Sequence, residues 1–249
     1  MKGIKDFFTS NQYSAPAVLI GVAMMLTAWI VSSSFDAFGG KRDTISVTGS
    51  SERYVKSDTA KLTINVSRRS ESISEGTKSV QSDITKLKGY LKQAGIASEN
   101  ISEGTVYNNQ ICQVGPQGYE NCSLGVVGYN VNQTLIVESS DVEKMSTIQN
   151  QTASILPGVN VSNSIEYFYN NLKNIRAEML SEATRNAKER ADSVADAGGA
   201  NIGKIISLSS GVFQVTAKNS VDYDGGGAYD TSSIEKKITA TVRAEFSVK

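Results

Sequence analysis

Residues 156–206 read LPGVNVSNSIEYFYNNLKNIRAEMLSEATRNAKERADSVADAGGANIGKII, and two periodicities inside this stretch decide the fold class. A short strand is expected near Val161 to Phe168. From about Asn171 to Ala197 the period becomes helical, with Ile175, Met179, Ala183, Ala187, Ala191 and Val194 on one face. That face is mostly alanine, so the helix can lie unusually close to a sheet or a second helix. Gly198 and Gly199 end it, as glycines after a last helical turn do.

Working outward, the chain returns to period two on both sides. Downstream, Lys204–Ala217 and Ile234–Val248 read as strands, the last with Ile238, Ala240, Val242, Ala244, Phe246 and Val248 on one face. Upstream, Asp141 is placed to cap a helix running to about Ile155, before Pro157-Gly158. Strands are expected at Ile101–Ile111 and Val126–Glu138. A helix over Ser72–Ala94 carries Val80, Ile84, Leu87 and Leu91 as a single stripe and stops at Gly95. Ile45 and Val47, then Ala60, Leu62, Ile64 and Val66, mark two more strands. The order implies an α+β (mixed α/β) architecture of largely antiparallel sheets with two or three packed helices.

The N-terminal part differs. Phe7 to Phe35 carries no charge, and its apolar centre, 15–35, reads APAVLIGVAMMLTAWIVSSSF. About 20 residues at 1.5 Å rise suffice for the roughly 30 Å hydrocarbon layer. Tyr13 and Trp29 stand near its ends, and Pro16 at its start. We read residues 1–14 as a short cytoplasmic tail, 15–35 as a spanning signal anchor in the inner membrane, 36–43 as a linker and 44–249 as one outer domain. A cleaved signal peptide with Lys2 and Lys5 as its basic end is the competing reading. Lys2 and Lys5 on one side oppose Lys41 and Arg42 on the other, so basic residues alone do not orient the helix.

Cys112 and Cys122 flank QVGPQGYEN, whose glycines and proline turn the chain between two strand-like runs. A hairpin would bring the thiols together as a disulfide, which requires an oxidising compartment and places 44–249 outside the cytoplasm.

Composition narrows the chemistry. The 249 residues include no histidine, so no Ser-His-Asp or Cys-His triad can be built, and two cysteines cannot make a four-cysteine zinc site. Lys+Arg and Asp+Glu balance at 25 each, giving no net field toward nucleic acid.

Several stretches resemble the SIMPL-domain family of bacterial envelope proteins: ISVTGSSERYVKSDTAKLTINV (45–66), GIASENISEGTVYNNQ (95–110), GYNVNQTLIVESSDVEKMSTI (128–148) and the 156–206 block. Ser51 stands where the family usually has the second glycine of a G-x-G, and Ser57 where a proline is frequent. The resemblance implies a SIMPL-type extracytoplasmic domain that forms homo-oligomers, is linked to envelope and oxidative stress tolerance, and has no agreed catalytic residues.

Candidate sites are few. Asp222, Asp224 and Asp230 around three glycines are weak candidates for a calcium loop, but the EF-hand register and closing glutamate are missing, and a connector between strands fits as well. Tyr167, Phe168 and Tyr169 are candidates for a subunit interface, with core packing the other reading. The alternating charges of the long helix, Arg176 to Arg190, read as a solvated face with i,i+4 pairs. The expectation is a non-enzymatic, anchored protein with no cofactor, no metal and no nucleic-acid partner, working by self-assembly. The alternative is a binding module for a small ligand, ion or peptide.

Overall fold

A computed structural model of the chain describes residues 14–39, 43–220 and 227–249. In chain order its elements are α1 (Ser14–Gly39), β1 (Thr44–Lys56), β2 (Thr59–Ser70), α2 (Ile73–Gln93), β3 (Ile101–Glu103), β4 (Tyr107–Val114), β5 (Glu120–Ser139), α3 (Val142–Ile155), β6 (Asn160–Phe168), α4 (Leu172–Ala197), β7 (Ile202–Ser210), β8 (Gln214–Ala217) and β9 (Glu235–Val248). All strand ladders are antiparallel.

The strands form two sheets of one design, each around a long central strand. In the first, β9 pairs along one edge with β1, from Thr44↔Ser247 to Lys56↔Glu235 without a slip. Along its other edge run β7 and then β8. In the second, β5 has β2 and then β6 on one side, with β3 and β4 on the other. The sequence expects one strand over 101–111 and one over 204–217, and each is two. Both breaks fall at a glycine laid against the central strand. Gly104 N–H donates to the Thr134 carbonyl at 2.8 Å, and Gly211 N–H to the Thr241 carbonyl at 2.8 Å. A Cβ at Gly211 would come within 2.3 Å of Thr241 Oγ1.

Helix α4 packs on β1 and β9. Its buried stripe is Met179, Ala183, Ala187, Ala191 and Ala195, strictly every fourth residue. Val194, expected on that face, is 54% exposed, because the stripe keeps its i+4 step to the last turn. Helices α2 and α3 cover the second sheet, where Leu62, Ile64, Val66, Leu135 and Val137 meet Val80, Ile84, Leu87, Leu91, Met145 and Ile148. Asp141 caps α3 as expected, accepting from Lys144 N–H at 3.0 Å, and Gly95 follows α2 with φ +84°.

Strand β5 outruns β2, whose last pair is Ser70↔Tyr129, so 111–128 form a two-stranded ribbon with β4. Cys112 and Cys122 bridge that ribbon as a disulfide, their Cα atoms 4.7 Å apart. Helix α1 exposes Leu19, Met24, Met25, Trp29 and Ile30. Among the described residues no helix is long and apolar enough to cross a membrane.

Candidate functional site

The alanine stripe has its counterpart in β1. A Cβ on Gly49 would stand 2.1 Å from the Ala183 carbonyl oxygen and 2.4 Å from the Ala187 nitrogen. Only glycine lets the helix backbone come that near. Two residues on, Ser51 donates its hydroxyl to the Met179 carbonyl at 2.8 Å, and Ser50 N–H donates to Asn186 Oδ1 at 3.1 Å. The serine that replaces the family's second glycine is thus a tie from sheet to helix. Arg53 reaches Glu178 and Glu182 at 2.8 and 2.9 Å, and Arg190 donates to the Thr48 carbonyl. The charges of α4 reach across to β1. Among the described residues, none of them forms the i,i+4 pairs read from the sequence.

Below this seat the two sheets meet at a joint made of three irregular segments. The first is the Ser57-Asp58 turn between β1 and β2. Asp58 accepts from the Asn170 N–H at 2.9 Å and from Asn170 Nδ2 at 3.1 Å, pinning the entry to α4. The second is 168–171 itself. The third, 228–234, runs as a strap across both sheets. Val215 N–H donates to the Ala228 carbonyl, Tyr167 N–H to Thr231 and Ser57 N–H to Ile234, each at 2.8 Å.

Asp230 anchors the strap. Lys236 of β9 is wholly buried, and its Nζ donates to the Asp230 carbonyl at 2.5 Å and carboxylate at 3.1 Å. Ser232 and Ser233 add backbone and hydroxyl donors to the same carboxylate. Burial alone would push this carboxyl up. The hydrogen bonds from Ser233, Ser232 and Lys236 outweigh it and hold the group well below the usual carboxylate range. Its oxygens are therefore engaged within the chain. Among the described residues no group of three acidic or cysteine side chains is disposed to hold a metal ion. Asp222 and Asp224 lie outside the described residues.

The aromatic run before α4 sits at the joint. Tyr167 is 5% exposed in the core of the second sheet. Phe168 stacks on Tyr229 with ring centroids 6.5 Å apart, and Tyr169 N–H donates to the Tyr229 hydroxyl at 3.1 Å. Their contacts bind the strap to the second sheet.

Beside the strap opens a cavity of about 550 Å³. It is lined by Leu172 and Leu180 of α4, Val212 and Phe213 of the β7–β8 turn, Val215 of β8 and Tyr229 of the strap. The Arg176 guanidinium lies over the Phe213 ring, 4.7 Å from its centroid. Groups with displaced pKa values stand elsewhere. Glu178 raises Arg53, Asp83 raises Arg68, and the helix cap lowers Asp141. None of these three residues lines the cavity. No motif announced it, because its walls come from segments far apart in sequence.

Residues 45–246 match SIMPL, described as "Protein of unknown function (DUF541)". The chain is 26% identical to the 26 kDa periplasmic immunogenic protein of Brucella melitensis biotype 1 over 166 residues, 66% of this chain and 65% of that protein. It is 25% identical, with the same coverage, to the protein so named in Brucella abortus strain S19. The chain thus matches about 65% of the length of these curated relatives. A crystal structure of an unknown protein from Galdieria sulphuraria aligns with 76% of this chain and 83% of its own at 12% identity. Its TM-score of 0.22 carries no argument about the fold.

Proposed function

The chain belongs to the SIMPL family, and from that premise we propose that it is an anchored, non-enzymatic, extracytoplasmic domain that works by self-assembly and supports tolerance of envelope and oxidative stress. Residues 1–14 remain in the cytoplasm, 15–35 span the inner membrane, 36–43 link, and 44–249 stand in the periplasm. Three things support the location: the uncharged apolar run 15–35, the Cys112–Cys122 bridge, and the periplasmic naming of the Brucella relatives.

The observation that carries the assembly reading is β7. Among the described residues it is the outer strand of its sheet with no strand on its far side, and it exposes Ile205, Ile206 and Leu208. An apolar open edge is a template for pairing with another chain unless something covers it. In this reading a second copy does. The test is the mass of the detergent-extracted full chain by light scattering, beside the same chain with Ile205→Lys and Leu208→Lys. A uniform oligomer that falls to a monomer on substitution is the expected result. A monomeric parent, or an oligomer indifferent to both lysines, overturns the reading.

A further inference from the structure

The assembly reading makes no use of the cavity beside the strap, and we propose that this cavity binds a small amphipathic anion, an apolar body ending in a carboxylate, with Arg176 selecting the charge. The inference stands independently of whether the chain assembles.

At about 550 Å³ the space falls within the size range of small-molecule sites, and this open cleft sets apolar and aromatic side chains beside polar ones, Arg176, Ser210 and Tyr229. Two glycines belong to its lining. Gly211 lies against β9, where a Cβ would strike Thr241, and Gly227 has φ +90°, a conformation that favours glycine.

The charge at the rim is specific. Arg176 is the sole charged residue among the described residues lining the cavity. Among the described residues Arg176 has no acidic partner, as is also true of Arg69, Arg185, Arg190 and Arg243; what sets it apart is its place on the cavity lining. Its guanidinium lies over the Phe213 ring, and among the described residues no acceptor engages its N–H groups. Those groups suit a bidentate carboxylate, and a fork held by stacking loses less freedom on binding than a free one. An apolar tail would then lie along Leu172, Leu180 and Val215. A cationic analogue meets repulsion, and a neutral one gains only the apolar contact.

The probe is 4-phenylbutyrate, with 4-phenylbutan-1-ol and 4-phenylbutylamine as neutral and cationic counterparts. Binding to the full chain in lipid nanodiscs is measured by equilibrium dialysis, with empty nanodiscs correcting for lipid partition. Saturable binding of the carboxylate is expected, about tenfold or more tighter than the alcohol, since a hydrogen bond to a charged group is worth at least that factor. The exposed Arg176→Gln should bring the carboxylate down to the level of the alcohol, and Arg176→Glu should favour the amine. Val212→Trp, which fills the cavity from an exposed position, should abolish binding of all three. Equal binding of carboxylate and alcohol, absence of saturable binding, or wild-type affinity in Arg176→Glu or Val212→Trp would each overturn the proposal.

Discussion

Replacing Gly49 with alanine should separate the long helix from its sheet. The added Cβ would lie 2.1 Å from one helix backbone atom and 2.4 and 2.7 Å from two others. Ordinary contact begins near 3.5 Å, so α4 must lift by roughly 1.4 Å at that point or β1 must bend away. Overpacking of a close-packed contact costs about 1–3 kcal/mol. The same movement stretches the buried Ser51–Met179 hydrogen bond, worth about 1 kcal/mol. A loss of about 3 kcal/mol follows, which for a domain of this size lowers Tm by roughly 6–12 °C. Near-UV circular dichroism of the tyrosines or calorimetry is the assay, because the single tryptophan, Trp29, sits in α1 and is blind to the sheets. Two controls sharpen it. Gly89→Ala, where a Cβ meets nothing within 4 Å inside α2, should gain about 0.5–1 kcal/mol. Adding Ala187→Gly should not rescue Gly49→Ala, because the obstructing atoms are backbone. A Gly49→Ala protein melting within about 2 °C of the parent, or one restored by trimming Ala187, would refute the packing argument.

Two further outcomes follow from the strap and the ribbon. Asp230→Ala leaves the Lys236 ammonium buried without its carboxylate and should cost about 3–5 kcal/mol in urea unfolding. The fold holds this carboxyl below its unfolded value of about 3.9, so its contribution is complete above about pH 4 and is lost as pH falls toward the lower folded value. Asp230→Asn should therefore be weaker at neutral pH yet lose less on acidification, and parallel pH profiles for the two would count against the assignment. Serine at both Cys112 and Cys122 removes a clip across ten residues of sequence separation, about 3 kcal/mol on the chain-entropy view. Hydrogen exchange should quicken in 111–128 and stay unchanged in the core of the second sheet; unchanged exchange in the ribbon would contradict its dependence on the bridge.

Regular elements with strong periodicity were legible in the sequence, and places defined by one backbone lying on another were not. The α4 stripe could be read to Ala191, but hydropathy favoured Val194 where geometry buries Ala195. The breaks in the outer strands escaped because Gly104 and Gly211 lie inside alternating runs that period alone continues. Lys236 is in phase with the inward face of its alternating strand, yet its charge gives the sequence no reason to bury it. Its burial is decided by the strap, an irregular segment whose position no local pattern encodes. Of the three aspartates read as a connector and only weak cation candidates, Asp230 is paired with Lys236, and Asp222 and Asp224 lie outside the described residues. The cavity was beyond reach for the same reason, since its walls meet only after the two sheets are joined.

The in-phase ladder between β1 and β9 has a mechanical consequence. The two strands run in opposite directions, with Thr44 opposite Ser247, so the entry to β1 and the end of β9 share one end of the sheet. A load drawn between those two points would open the ladder like a zipper, one pair at a time. A load entering at Thr44 and leaving through the second sheet runs instead along β1, so the whole ladder and the α4 seat resist together in shear. A domain tethered at Thr44 and gripped at its opposite end is thus pulled along its stiff axis, and the peeling direction stays unloaded.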